Sequence, residues 1–302
     1  MGGGTFNARA YATYSASTAG LSTAEVFKSR TIHSTLDPKG VKVRESRDSA
    51  DNPKSTPLIV ALDVTGSMHI LADTIARQGL GVMFNAVLDR KPISDPHVMF
   101  MAVGDANFDH FPLQVSQFEA DNRILEQLTQ IFIEHGGGGN AFESYNLPWY
   151  FAAFHTVHDS MEKRGKRGYL FTVGDEEAPH DLTRDQIRKF LGDELAQELS
   201  TQAMLELAQR TYNVFHIIIE EGNHARGALP KVQETWRQML GQHVISLADH
   251  KLLAETIVST IEIAEGLNPD AAAGRWDGPT ASIVHRAVKH LPAGKPAPRI
   301  AP

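Results

Sequence analysis

The chain has 302 residues, 42% of them apolar and 22% charged, which fits an ordinary globular protein with a substantial core. Its 29 basic against 36 acidic residues leave a net charge of −7, so no electrostatic case exists for nucleic acid or an anionic membrane as the main partner. With no cysteine, disulfides, thiolate metal sites and cysteine nucleophiles are all excluded.

The opening MGGGTFNARAYATYSAST has neither an apolar leader segment nor a charged one, and no run approaches the ~18 apolar residues of a membrane span. The expectation is a cytoplasmic protein that does not enter a membrane. Residues 1–55 are rich in Ser, Thr, Gly and Ala, without sustained periodicity, and end in the turn-prone RESRDSADNPKS. They read as an irregular N-terminal arm, with a short helix near Thr23 to Arg30, whose aromatics Phe6, Tyr11, Tyr14 and Phe27 pack on the domain or on a partner.

From Pro57 strand-like and helix-like segments alternate. Leu58 to Leu62 is a buried strand that stops on Asp63; Leu80, Met83, Phe84 and Val87 then hold the spacing of an amphipathic helix. HVMFMAVGD is a second strand ending on Gly104-Asp105, Phe111 to Val115 a short edge strand, and Ile124, Leu128, Ile131 and Phe132 stripe a helix. HGGGGN at 135–140 is a loop, and ESYNLPWYFAAFHTVHD reads as a helix with Pro148 in its first turn, where proline is tolerated. GYLFTVGDEE is a third strand ending on Gly174-Asp175. A helix striped by Ala196, Leu199, Ala203 and Leu207 follows, then a strand at Val214 to Ile219 and a short helix holding Trp236, Met239 and Leu240. HVISL is a last strand, backed by a helix with Leu253, Ile257 and Ile261. Residues 267–302 read as a C-terminal extension with one helix at Ala281 to His290 and a flexible tail, KPAPRIAP.

This alternation predicts an α/β fold: a doubly wound, mostly parallel sheet with helices on both faces, occupying residues 56–266. Ligands of such sheets sit at the C-terminal strand ends near a switch in strand order. Three strands end there on acids, Asp63, Asp105 and Asp175, near Thr65, Ser67 and the glycine loop. Oxygen donors without cysteine suit a hard cation, Mg²⁺ or Mn²⁺ ahead of Ca²⁺. In a tight strand-to-helix turn, residues 63, 65 and 67 can aim oxygens at one point while Gly66 relieves the backbone. The plainer reading of DVTGS is an Asx turn with a hydroxyl capping the next helix. The histidines beside the loops, His69, His110, His135 and His180, have no spacing that dictates a zinc site.

DVTGS at 63–67 resembles the D-x-S/T-x-S motif of von Willebrand factor A domains, the metal-ion-dependent adhesion site, and the segment order from about Pro57 to Gly266 is similar to that family, in its intracellular bacterial or phage type. The resemblance implies Asp63, Thr65, Ser67 and Asp175 as metal-site residues. The family's second-loop threonine is missing from GGGGNAFES, where Asn140 or Glu143 stands in; its third loop reads Thr-Asp-Gly, whereas here Asp175 follows the glycine, with Glu176 as understudy and Asp105 as a further candidate. It also implies a non-enzymatic binding module that engages a carboxylate of a protein partner, in an assembly such as one built on AAA+ ATPases. Two other readings stand: a self-assembling structural protein with a stabilising metal, and a Mg²⁺-dependent phosphotransferase with Asp63 as nucleophile. The latter lacks a second aspartate two residues on, where Thr65 stands.

Overall fold

β-Branched and aliphatic residues fill Thr56–Asp63 without a polar break until its last position, as a strand covered on both faces requires. The computed structural model describes residues 3–134 and 140–294, and of Ser67 only the backbone. In chain order the elements are α1 (Ala8–Thr18), α2 (Thr23–Val26), β1 (Arg44–Ser46) and β2 (Thr56–Asp63), then a 3₁₀ turn (Gly66–His69), α3 (Ile70–Thr74), a π turn (Ile75–Gly79) and α4 (Leu80–Arg90). There follow β3 (Pro96–Val103), β4 (Leu113–Val115), α5 (Arg123–Thr129), α6 (Asn146–Phe154), β5 (Thr156–His158), α7 (Asp159–Arg164) and β6 (Gly168–Gly174). The remainder is α8 (Arg184–Leu191), α9 (Thr201–Ala208), β7 (Tyr212–Ile219), α10 (Asn223–Leu240), β8 (Val244–Leu247), α11 (Leu253–Ala264), α12 (Pro269–Ala273) and α13 (Gly278–Val288).

Six strands form one sheet in the order β4-β3-β2-β6-β7-β8, all parallel except the edge strand β4. The chain winds outward from β2 to one edge, returns beside β2 as β6, and winds to the other edge. The order therefore reverses between β2 and β6, and the crevice of a doubly wound sheet opens there. β1 and β5 pair separately. Alternate residues of β2 feed opposite layers: Leu58, Val60 and Leu62 pack with α4 and α11, Ile59 and Ala61 with α6 and α10.

The arm departs from its irregular reading in two elements, α1 and the short strand β1. α1 is capped by Asn7, whose side chain accepts from the Ala10 amide, and it escapes apolar-periodicity reading because its contacts are made by hydroxyls. Tyr11 donates to Ala76 O at 3.1 Å and Ser15 to Arg77 O at 2.6 Å, so two carbonyls of the π turn are satisfied from outside their own helix. Arg77 in turn donates to Thr18 O and Leu21 O. The Tyr11 ring lies where a Cβ on Gly81 would stand, and Phe6 stacks on Phe84 at 4.4 Å.

Further differences have local causes. The helix expected from Ala196 begins at Thr201, where Ser200 accepts from the Ala203 amide and sets the start. α8 was announced only by the Thr183/Gln186 capping box. The run to His158 breaks after Phe154 into β5 and α7. The helix around Trp236 runs back to Asn223, kinked at Ala228 because Pro230 offers no amide and crowds the preceding turn. Residues 267–294 are not an appendage: Val284, Ala287 and Val288 are buried in the layer with α11, and Trp276 donates to Ser259. The tail KPAPRIAP lies outside the described residues. Among the described residues no helix is long and apolar enough to cross a membrane.

Gly81→Val should drive Tyr11 off α4. Overpacking of this kind costs about 1–3 kcal/mol, so a lower urea midpoint and faster proteolysis within residues 1–30 are expected; an unchanged midpoint would mean that the arm is not seated there.

Candidate functional site

β2 delivers Asp63 to the switch point fully buried, and Gly66, at φ +43°, allows the chain to turn at once into the 3₁₀ segment. Asp63 Oδ1 accepts from the Thr65 amide and the Thr65 hydroxyl, both at 2.8 Å, and Oδ2 accepts from the Tyr145 hydroxyl at 3.1 Å. The Asx turn is therefore present. The helix cap is not: Thr65 occupies the N-cap position of the 3₁₀ turn, yet its hydroxyl makes no cap bond and faces two acids instead, Asp63 and, at 3.1 Å, Glu143 Oε1.

A hydroxyl has one proton, so it cannot donate to both carboxylates. Burial, followed by the charge of Asp63, pushes the Glu143 carboxyl far above its usual range, which disfavours a second negative charge beside Asp63. Asp63 is raised too, by burial first, with Asp175 adding repulsion. Glu176 is pushed up to about 8 by burial and by Asp175 and Asp63. These groups raise one another; the basic side chain facing Glu176 is the His224 ring, 3.9 Å from Glu176 Oε2.

Asp175 leaves β6 after Gly174 and accepts from the His224 amide at 2.8 Å, at the N-terminus of α10, where helix amides favour a carboxylate. Burial raises its carboxyl, and the amides of His224 and Ala225 pull it back. Two glycines make the approach possible: a Cβ on Gly222 would overlap the Asp175 side chain, and one on Gly174 would overlap the Tyr145 hydroxyl and stand 3.0 Å from Asp63 Cβ.

Of the two residues that could replace the missing threonine, Glu143 reaches Thr65, while Asn140 donates to Asp105 Oδ2 at 2.6 Å. Asp105 also accepts from the Asn107 amide at 2.9 Å, closing its own turn, and its loop is tied to Ser144, whose hydroxyl accepts from the Ala106 amide. Asp105 and Asn140 thus brace the second loop. The Ser67 side chain, His135 and glycines 136–139 lie outside the described residues. Sequence reading missed Tyr145, which lies between Asp63 and the stacked pair His216 and Trp236; only its place beside Glu143 could have pointed to it. Glu177 is neutralised separately by Lys231 at 2.7 Å.

Cation-binding capacity can be read from what remains unpaired. Glu143 Oε2 and Glu176 Oε2 are buried without a hydrogen-bond partner; Asp63, Thr65 and Asp175 offer further oxygens, and the His224 ring stands 3.9 Å from Glu176 Oε2. The residues fit a hard divalent ion. Their carboxylates are not drawn tightly together: among the described residues, the one group of three potential ligands within 4.8 Å is Glu221, Asp249 and His250, at the ends of β7 and β8. There the His250 amide and ring both engage Glu221 Oε2.

No protein-family model and no curated protein matches the chain. Among solved structures, the pilus adhesin SpaC from Lactobacillus rhamnosus GG, in an open conformation, aligns over 76% of this chain and 32% of its own, at 8% identity and a TM-score of 0.45. A von Willebrand factor type A from Catenulispora acidiphila aligns over 70% of this chain and 42% of its own, at 14% identity and a TM-score of 0.37. The chain thus spans less than half of the length of these matched structures.

Acids whose folded pKa is raised leave the folded state holding protons that the unfolded chain has lost. Metal-free protein should therefore lose stability as pH rises from about 4 through about 10. Glu143→Gln should flatten that slope and raise the pH 8 midpoint in chelator; chemical denaturation across pH checks both.

Proposed function

We propose that this chain is a binding module in which a divalent cation, Mg²⁺ or Mn²⁺, is held at the β2/β6 switch point and completed by a carboxylate of a protein partner. One observation carries the reading: the Thr65 hydroxyl is turned away from its helix and onto Asp63 and Glu143, whose buried Oε2 has no hydrogen-bond partner. Asp63, Thr65 and Glu143 would hold the ion, with Asp175 and Glu176 facing it from the third loop and Ser67 as the remaining first-loop candidate.

A bound divalent ion supplies a hard positive centre able to accept an oxygen from outside the protein. The chain's own residues prepare for it. Tyr145 orients Asp63 from below, Gly174 and Gly222 let the strands and α10 close around the acids, and the α10 amides oppose the effect of burial on Asp175. Asp105 and Asn140 keep the second loop in position. The resemblance of DVTGS to the von Willebrand factor A motif supports the same reading, with assembly alongside an AAA+ ATPase as one setting for such a partner. We place the module in the cytoplasm, and assign it no catalysis of its own.

The test is calorimetric titration of Mg²⁺ and Mn²⁺ into chelator-treated protein, in two buffers of different ionisation enthalpy. One site is expected, with proton release because raised carboxyls must ionise, and Asp63→Asn or Glu143→Gln should weaken it at least about tenfold. Absence of heat at millimolar metal, with the protein folded, would overturn the proposal.

A further inference from the structure

A cavity of about 280 Å³ opens beside the metal-loop helix, walled on one side by Ala24, Phe27 and Arg30 of the arm and on the other by His69, Phe132 and Ile133. Its volume is roughly twice the ~150 Å³ that takes a benzene ring. Phe27 and Ile133 form a buried apolar floor, each 6% exposed. The walls are tied together before any ligand arrives. Ser22 and Glu25 form a capping box that fixes α2, the Ser29 hydroxyl donates to Gln130 O at 2.7 Å, and Arg77 donates to Leu21 O at 2.8 Å.

Its charge is opposite to that of the neighbouring loops. No acid lines it, and Arg30, exposed at its mouth, has no acidic partner among the described residues. Asp63 stands six positions before His69 in the chain and shares the Thr65 hydroxyl with Glu143. Ile70, next to His69, is 40% exposed and extends the apolar surface toward the solvent. The 3₁₀ turn from Thr65 to His69 rises ~2 Å per residue, so four residues separate the candidate cation site from the cavity wall by roughly 8 Å. An extended peptide covers that distance in two to three residues at ~3.3 Å each.

Resting on the proposed cation site, we infer that this cavity is a second recognition pocket for the same partner segment. It takes an apolar side chain two or three positions from the carboxylate that reaches the cation, and Arg30 favours an acidic segment across the mouth. The pocket belongs to the arm as much as to the sheet. The arm therefore selects the partner sequence, while the strand ends supply the anchoring charge.

The probes are acetylated hexapeptides with a single Asp and either Leu or Ala two or three residues away, titrated into the full-length chain with Mg²⁺ and with chelator. Affinity is read by NMR shift changes. In Mg²⁺ the Leu peptides should bind about tenfold more tightly than the Ala peptides, as expected for burying most of a leucine. Ala24→Trp fills the cavity from an exposed position. It should remove that preference while leaving the Ala-peptide affinity, the Mg²⁺ titration and the melting temperature unchanged. Equal Mg²⁺-dependent affinity for Leu and Ala peptides overturns the pocket and leaves the cation site standing. A Leu preference that survives chelator but vanishes in Ala24→Trp supports the pocket and overturns the cation reading. No binding by any peptide overturns the inference.

Discussion

Mutual repulsion among buried carboxylates is the constraint on which the upper edge of this structure depends. Asp63, Glu143, Asp175 and Glu176 are brought together by strand order, and their charges disfavour one another in a setting that water does not screen. Folding accommodates them by three means visible in the hydrogen bonds. Tyr145 and Thr65 donate to Asp63, α10 directs its first amides at Asp175, and Lys231 takes Glu177 out of the group. What remains at this edge is two buried carboxylate oxygens without a hydrogen bond, on Glu143 and Glu176. A group of acids is costly as scaffold and useful as a receptor for positive charge.

The arm makes a second constraint of a different kind. The helix that starts at the acidic loop is wound in three ways along its length, and its π turn leaves carbonyls to which Tyr11 and Ser15 donate. Gly81 admits the Tyr11 ring against the helix. The first turn of that helix, at the site, and its middle, under the arm, are parts of one continuous rod. The position of the arm and the geometry of the DVTGS turn are consequently joined through backbone rather than through side chains.

The sheet was legible because its central strands β2, β3, β6 and β7 are largely apolar runs separated by helical stripes, and because an acid lies at or just beyond the carboxyl end of each: Asp63, Asp105, Asp175 and Glu220. Elements held by other forces were not. α1 docks through hydroxyls, α8 is short and strongly polar on its outer face, and β1 and β5 are three-residue strands that exist only as partners of each other. The kink in α10 was signalled by Pro230, but the helix's length was not, since its first turns lie over Gly222 and Asp175 rather than over an apolar stripe.

The sequence by itself determined the doubly wound class, the acids at the strand ends and the DVTGS turn, because periodicity and local turn chemistry are written along the chain. Only the tertiary structure decided which acids share a space. It placed Glu143, not Asn140, on Thr65, brought in Tyr145 beneath Asp63, and set Asp105 to bracing a loop. Those outcomes depend on the spacing of β3, β2 and β6 across the sheet and on glycines that permit contact between residues more than seventy positions apart, and no local pattern encodes either.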